Sequence, residues 1–323
     1  MKTLMWGIAL VLILTSCSAQ DYRAEADRFL AGMPEGLQDR QNDAILAALA
    51  GDTAPLTAVR SARNTPAELP AGVTARDVGE GLRLYLPATP PQESLPLLVY
   101  LHGGGWTIGS INSCARYCIA LAERGVAVLA VDYRLAPEYP YPVPLNDCAD
   151  AVETAFRCAK EWGVDPGRIS VGGDSSGGNL ALAVALRKPS RLSSLVVFYP
   201  VVRAWNDGSQ SWLRYRGGMA LDGKIMETFN RSYIQDTEQC AEISPALAAD
   251  DALRMLPPIL MVAAERDILY DQGRDFAQRV SALGVRVEHH TFRGAVHLFI
   301  TVAGQEAAFR AAVDRSARWL LGE

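Results

Sequence analysis

The residues best suited to chemistry lie in Ile169-Ser-Val-Gly-Gly-Asp-Ser-Ser-Gly-Gly-Asn179. A short β-branched run leads into Gly173-Asp-Ser-Ser-Gly177, and a good helix former, Asn179 to Leu186, follows. Strand, sharp turn and helix around a G-x-S-x-G spacing are the setting of a nucleophilic serine held clear of a sheet edge. Two serines compete for that place, and the glycines choose between them. Only Ser175 has glycine two positions before and two after; Ser176 would need one where Asp174 stands.

A serine hydroxyl needs a base to take its proton, and the base needs an orienting acid. Four histidines are available. His289 and His290 fall inside an apolar-rich strand, Val285 to Phe292, whereas His297 follows that strand on a loop and is the better base. Before it, Glu265-Arg-Asp267-Ile-Leu-Tyr-Asp271 offers three carboxylates. Asp267 stands nearest the preceding strand end; Asp271 and Asp275 read as exposed acids at a helix start, where the helix dipole favours them. The order serine, acid, histidine is one of the known orders of a catalytic triad.

An attacked carbonyl also needs donors for its developing negative oxygen. His102-Gly-Gly-Gly-Trp106 ends an apolar run, Leu97 to Leu101, and its glycines permit close backbone approach. The expected donors are the N–H groups of Gly103, Gly104 and Ser176. No Walker lysine follows these glycines, which excludes a phosphate loop. His102 reads as a residue that fixes the loop. Trp106 and Phe299 are candidate walls of the substrate pocket, with a core position the alternative for each.

Taken together, His102-Gly-Gly-Gly-Trp106, Asp132-Tyr-Arg-Leu-Ala-Pro-Glu138, Asp165-Pro-Gly-Arg168, Gly173-Asp-Ser-Ser-Gly-Gly178, Asp267-Ile-Leu and Val296-His297 resemble the hormone-sensitive-lipase-like group of α/β-hydrolase esterases. The resemblance covers residues 75–320. It implies a Ser175–Asp267–His297 triad, a helical cap, no cofactor, and hydrolysis of short- to medium-chain acyl esters through an acyl-enzyme. A deacetylase or amidase would use the same triad. A ligand-binding relative that lost catalysis would usually lack a triad member. Two departures stand out: Ser176 replaces the usual alanine, and Leu298 replaces the usual glycine after the histidine.

The elements around these residues fit an α/β fold, a mostly parallel sheet flanked by helices. Apolar runs Leu97–Leu101, Val126–Val131, Ile169–Val171, Ser194–Tyr199 and Ile259–Ala264 alternate with helical stretches near 112–124, 144–162, 273–283 and 305–321. Leu82–Leu86 alternates as an edge-type strand. The reading divides the chain into a signal peptide (1–19), an N-terminal cap segment (20–74), and a hydrolase core (75–323) with a cap insertion at about 201–250. Helix is expected over about 21–50, then a Pro- and Ala-rich connection to about Val73.

Composition bounds the partners. With 323 residues, 49% hydrophobic and 21% charged, the chain can bury a large core. A net charge of −5 without a basic run gives no footing for nucleic acid. No histidine has neighbours at zinc-ligand spacing, so no metal is expected. Lys2 precedes an apolar run, Leu4 to Leu14, of secretory rather than membrane-spanning length. Leu14-Thr-Ser-Cys17 resembles a bacterial lipobox, which implies lipid on Cys17 and a place at a membrane surface of the cell envelope. Ordinary cleavage after Ala19, giving a periplasmic or secreted protein, is the alternative. The five other cysteines are odd in number and irregular in spacing, and read as small apolar side chains.

Overall fold

The computed structural model describes residues 20–89, 93–187, 191–235, 238 and 240–323; the expected signal peptide and Cys17 lie outside the described residues. Eight strands form one sheet: β1 (Val73–Gly79), β2 (Leu82–Pro87), β3 (Leu95–Leu101), β4 (Ala127–Val131), β5 (Val164–Asp174), β6 (Leu195–Phe198), β7 (Ile259–Arg266) and β8 (Val287–Val296). Their spatial order is β1-β2-β4-β3-β5-β6-β7-β8; β2 pairs antiparallel with both β1 and β4, and the other pairs are parallel.

The apolar runs read from the sequence are the central strands, because a parallel sheet is covered on both faces. Strand β3 is buried along its whole length, and its side chains alternate. Leu97, Val99 and Leu101 enter one core with α5 (Val143–Cys158), α6 (Ser176–Arg187) and α10 (Tyr270–Ala282). Leu98 and Tyr100 enter the other with α4 (Ala115–Ala122) and α11 (Glu306–Leu321). Each such aliphatic side chain contributes about 1.5–3 kcal/mol by leaving water.

Four expectations are corrected at this level. Strand β2 is internal, not an edge, because β1 pairs along it and takes the edge. The connection after Gly51 contains α3 (Ala54–Ala62), which starts at a proline-bearing first turn and buries Leu56 completely. Strand β8 runs to Val296, four residues beyond Phe292, so His297 follows it directly. Asp271 is buried rather than exposed: it accepts from Ser211 N (2.8 Å) and ties α7 (Gln210–Tyr215) to α10.

Ahead of the sheet, α1 (Arg23–Gly32) and α2 (Leu37–Leu49) precede α3. Tyr22 N donates to Arg293 O (2.8 Å), so α1 begins against β8, the far edge of the sheet. Between β6 and β7 lie α7, α8 (Gly223–Tyr233) and α9 (Asp250–Arg254). Helix α2 packs on α8: Gln38 donates to Met219 O (2.9 Å) and accepts from Asp222 N (2.7 Å), and Thr228 donates to Asn42 (2.6 Å).

Candidate active site

Ser175 is the single residue between the end of β5 and the start of α6. Its φ is +55°, a left-handed conformation that costs a non-glycine residue roughly 1–2 kcal/mol. The surroundings hold it there: Ser175 N donates to Phe198 O (2.9 Å), and its carbonyl accepts from Asn179 N (3.0 Å) and Val201 N (3.2 Å). The flanking glycines are obligatory. A Cβ on Gly173 would lie 2.3 Å from Leu101 O and 2.6 Å from the Gly177 carbonyl carbon, and one on Gly177 would lie 2.0 Å from Leu101 O.

His297 follows β8 and Asp267 follows β7, so both stand at the carboxyl ends of neighbouring strands, where open α/β sheets gather their ligands. His297 Nδ1 lies 2.5 Å from Asp267 Oδ2, with both side chains buried. A carboxylate oxygen accepts, so Nδ1 carries the hydrogen and Nε2 keeps its lone pair. The other oxygen, Asp267 Oδ1, accepts from Leu269 N (3.0 Å). Tyr199 packs its ring against the imidazole at 4.2 Å. Leu298 takes up the left-handed conformation itself (φ +73°), a backbone region that favours glycine, and lines the cavity.

One narrow cavity of about 50 Å³ is lined by Ser175, His297 and the Gly103–Gly105 backbone. A larger one, about 440 Å³, lies at the opposite, amino-terminal edge of the strands among Arg168, Arg286, Arg315 and Arg318, and touches none of the triad candidates. Gly103 N is already committed, donating to Asp174 Oδ1 (3.0 Å). Among the described residues, the amides of Gly104, Gly105 and Ser176 donate to no protein acceptor. The glycine loop therefore offers Gly104 and Gly105, not Gly103, alongside Ser176 at the α6 N-terminus. Gly104 has φ +117° and Gly105 φ +59°, and a Cβ on Gly105 would lie 2.1 Å from the Phe229 ring of α8.

Asp174 was not singled out by its residue type, yet it organises this loop. It is 1% exposed and accepts from Tyr100 Oη (2.8 Å) as well as from Gly103 N. Burial pushes its carboxyl above the usual range, opposed by those two hydrogen bonds. His102 donates from Nδ1 to Gly103 O (2.9 Å) and stacks on Tyr133 at 4.2 Å. Burial lowers its pKa. Trp106 and Phe299 are fully buried and neither lines the cavity. Trp106 stacks on Tyr233 at 4.6 Å, and Phe299 packs with Phe292 and Tyr199 beneath the histidine loop. The aromatic wall is Phe229.

Gln305 is a further residue that pattern reading passes over. Fully buried, it accepts from Val296 N (3.0 Å) and donates to Val296 O and His297 O (3.1 Å each), clamping the histidine loop. Its partners lie eight and nine residues away, and no motif signals it.

A sequence profile for an alpha/beta hydrolase fold family matches residues 98–301, more than half of the chain. The chain belongs to this alpha/beta-hydrolase family. An alpha/beta hydrolase of Acanthamoeba polyphaga mimivirus is 33% identical over 216 residues, 65% of this chain and 62% of that protein's length. The ethyl acetate hydrolase of Pseudomonas putida is 36% identical over 231 residues, 68% of this hydrolase and 71% of the relative. Among solved structures, a fungal esterase from Rhizomucor miehei superposes with a TM-score of 0.77 at 26% identity, covering 93% of this hydrolase and 95% of that chain.

Proposed function

We propose that this hydrolase is a serine carboxylic-ester hydrolase acting on short-chain acyl esters. The observation that carries the reading is the buried His297–Asp267 pair opening on the same cavity as the strained Ser175. In this scheme His297 Nε2 takes the Ser175 proton as Oγ attacks the ester carbonyl. Asp267 holds the imidazole in the tautomer that can accept and stabilises the imidazolium that forms. The tetrahedral oxyanion receives the N–H groups of Gly104, Gly105 and Ser176, each donor contributing about 2.7–4 kcal/mol. His297 returns the proton to the departing alcohol, and water repeats the sequence on the acyl-enzyme to release the acid.

Helices α2 and α8 form the cap in this reading, with Phe229 of α8 closing over Gly105. The small cavity favours short acyl groups, and the ethyl acetate hydrolase relative acts on such an ester. The test is hydrolysis of p-nitrophenyl esters from acetate to palmitate by wild type and Ser175→Ala. Activity is expected on the short chains, and the variant is expected to lose several orders of magnitude, up to about 10⁶. A folded wild type inert on every chain length would refute the reading.

A further inference from the structure

The segment that follows α3 brings into the cavity one cation for which ester hydrolysis alone has no use. Arg63 lines the cavity together with Ser175, His297 and the glycine loop. Its Nε is buried without a hydrogen-bond partner. Among the described residues no carboxylate lies within ion-pair distance of the guanidinium. The opposing charge it senses is Asp174, whose Oδ1 is already occupied by Tyr100 and Gly103. Burial lowers the Arg63 pKa and raises that of Asp174, as expected where neither is neutralised by a close partner.

The backbone around Arg63 is firmly held. Ser110 Oγ donates to Arg63 O (3.3 Å), and Asn112 Nδ2 donates to Asn64 O (3.3 Å) as well as to its Oδ1 (2.8 Å). One helical turn earlier, Arg60 donates to Thr107 O (2.8 Å), to Ala136 O (2.7 Å) and to Glu138 (2.7 Å). A planar guanidinium carries five N–H donors in a fork that matches a carboxylate in two parallel hydrogen bonds. Arg63 is half-buried, with its Nε fully so; a charge drawn even partly from water without a partner is costly, and a ligand that brings the partner recovers the cost.

We propose that Arg63 binds a carboxylate carried by the substrate, so that the preferred substrates are small esters bearing a second, free carboxylate. This rests on the hydrolase reading. The test uses the acetates of glycolate, 4-hydroxybutyrate and 4-hydroxybenzoate, each against the corresponding neutral carboxamide, with wild type, Arg63→Gln and Arg63→Lys. In at least one pair, wild type is expected to favour the acid by about 10- to 100-fold in kcat/KM, mainly through KM. That ratio is expected to fall to near one in Arg63→Gln and to an intermediate value in Arg63→Lys, which keeps the charge but loses the fork. Equal rates for acid and amide in all three pairs, or an unchanged ratio in Arg63→Gln, would overturn the proposal.

Calorimetry on Ser175→Ala, with and without Arg63→Gln, separates the two readings. Binding of the acids that requires Arg63, without turnover by wild type, would sustain the carboxylate site and remove the hydrolase reading. Turnover without Arg63-dependent binding would do the reverse.

Discussion

Asp267→Asn is the substitution whose outcome the geometry defines most sharply. Asparagine matches aspartate in shape, so packing in this fully buried spot is preserved. Its two ends are not equivalent. The end at Oδ1 faces Leu269 N–H and must accept, so it takes the amide oxygen. The NH₂ group is then left against His297 Nδ1, in the place of Oδ2. A donor facing Nδ1 compels that nitrogen to accept, which moves the imidazole hydrogen to Nε2 and removes the lone pair that must take the Ser175 proton. The expected loss is about 10⁴-fold in kcat/KM, or about 5 kcal/mol of transition-state stabilisation. The assay is p-nitrophenyl acetate hydrolysis near pH 7.5, with urea unfolding alongside to show that the fold is intact. Asp267→Ala serves as contrast, because it strands Leu269 N–H and lowers stability by about 1–3 kcal/mol as well. A folded Asp267→Asn protein within tenfold of wild type would refute the assignment of Asp267 as the residue that sets the tautomer.

Two further outcomes concern stability. Burial, reinforced by His290 and Arg274, lowers the His289 pKa to about 4, below its unfolded value near 6.5. The neutral imidazole therefore supports the fold above pH 6.5, and that support, at most about 3 kcal/mol, is lost as pH falls from 6.5 towards 4. His289→Gln should lose less stability than wild type between pH 7 and 4.5 in urea titrations; a pH-independent difference between the two proteins would count against it. Arg60→Ala removes the donors serving Thr107 O and Ala136 O, so the unfolding free energy should drop by about 1–3 kcal/mol, and an unmoved urea midpoint would show that α3 is held by other means.

What could be read from the chain alone was whatever backbone geometry forces on residue type. Gly173 and Gly177 are legible because any Cβ there meets the Leu101 carbonyl, and a run of apolar β-branched residues is legible because both faces of the sheet are covered. A triple glycine declares close approach, but not which amide faces the cavity; that depended on Asp174, seventy-one residues away, capturing Gly103 N–H. Trp106 could have been wall or core, and the deciding partner, Tyr233, lies on α8. Helix α3 is short and carries a proline and two β-branched residues, Thr57 and Val59, so its periodicity is weak. Arg63 and Gln305 are single polar residues whose importance comes wholly from what the fold sets beside them.

The hydrogen bond from Tyr22 to Arg293 spans almost the whole chain, and Gly294 leaves the gap that lets the backbone of Arg23 approach, where a Cβ would lie 2.6 Å from Arg23 N. The first described helix thus has nowhere to dock until the last strand exists. Contacts of such sequence separation form slowly, because a very long loop must close before they are rewarded. Helix α1 therefore stays without its β8 dock while the polypeptide is still emerging, whereas α2 and α3 meet α8 and the Thr107–Glu138 segment earlier; β8 arrives together with His297, the residue that follows it. The seat of α1 and the His297 side of the cavity wall are therefore acquired in the same late step, so an incomplete nascent chain holds neither.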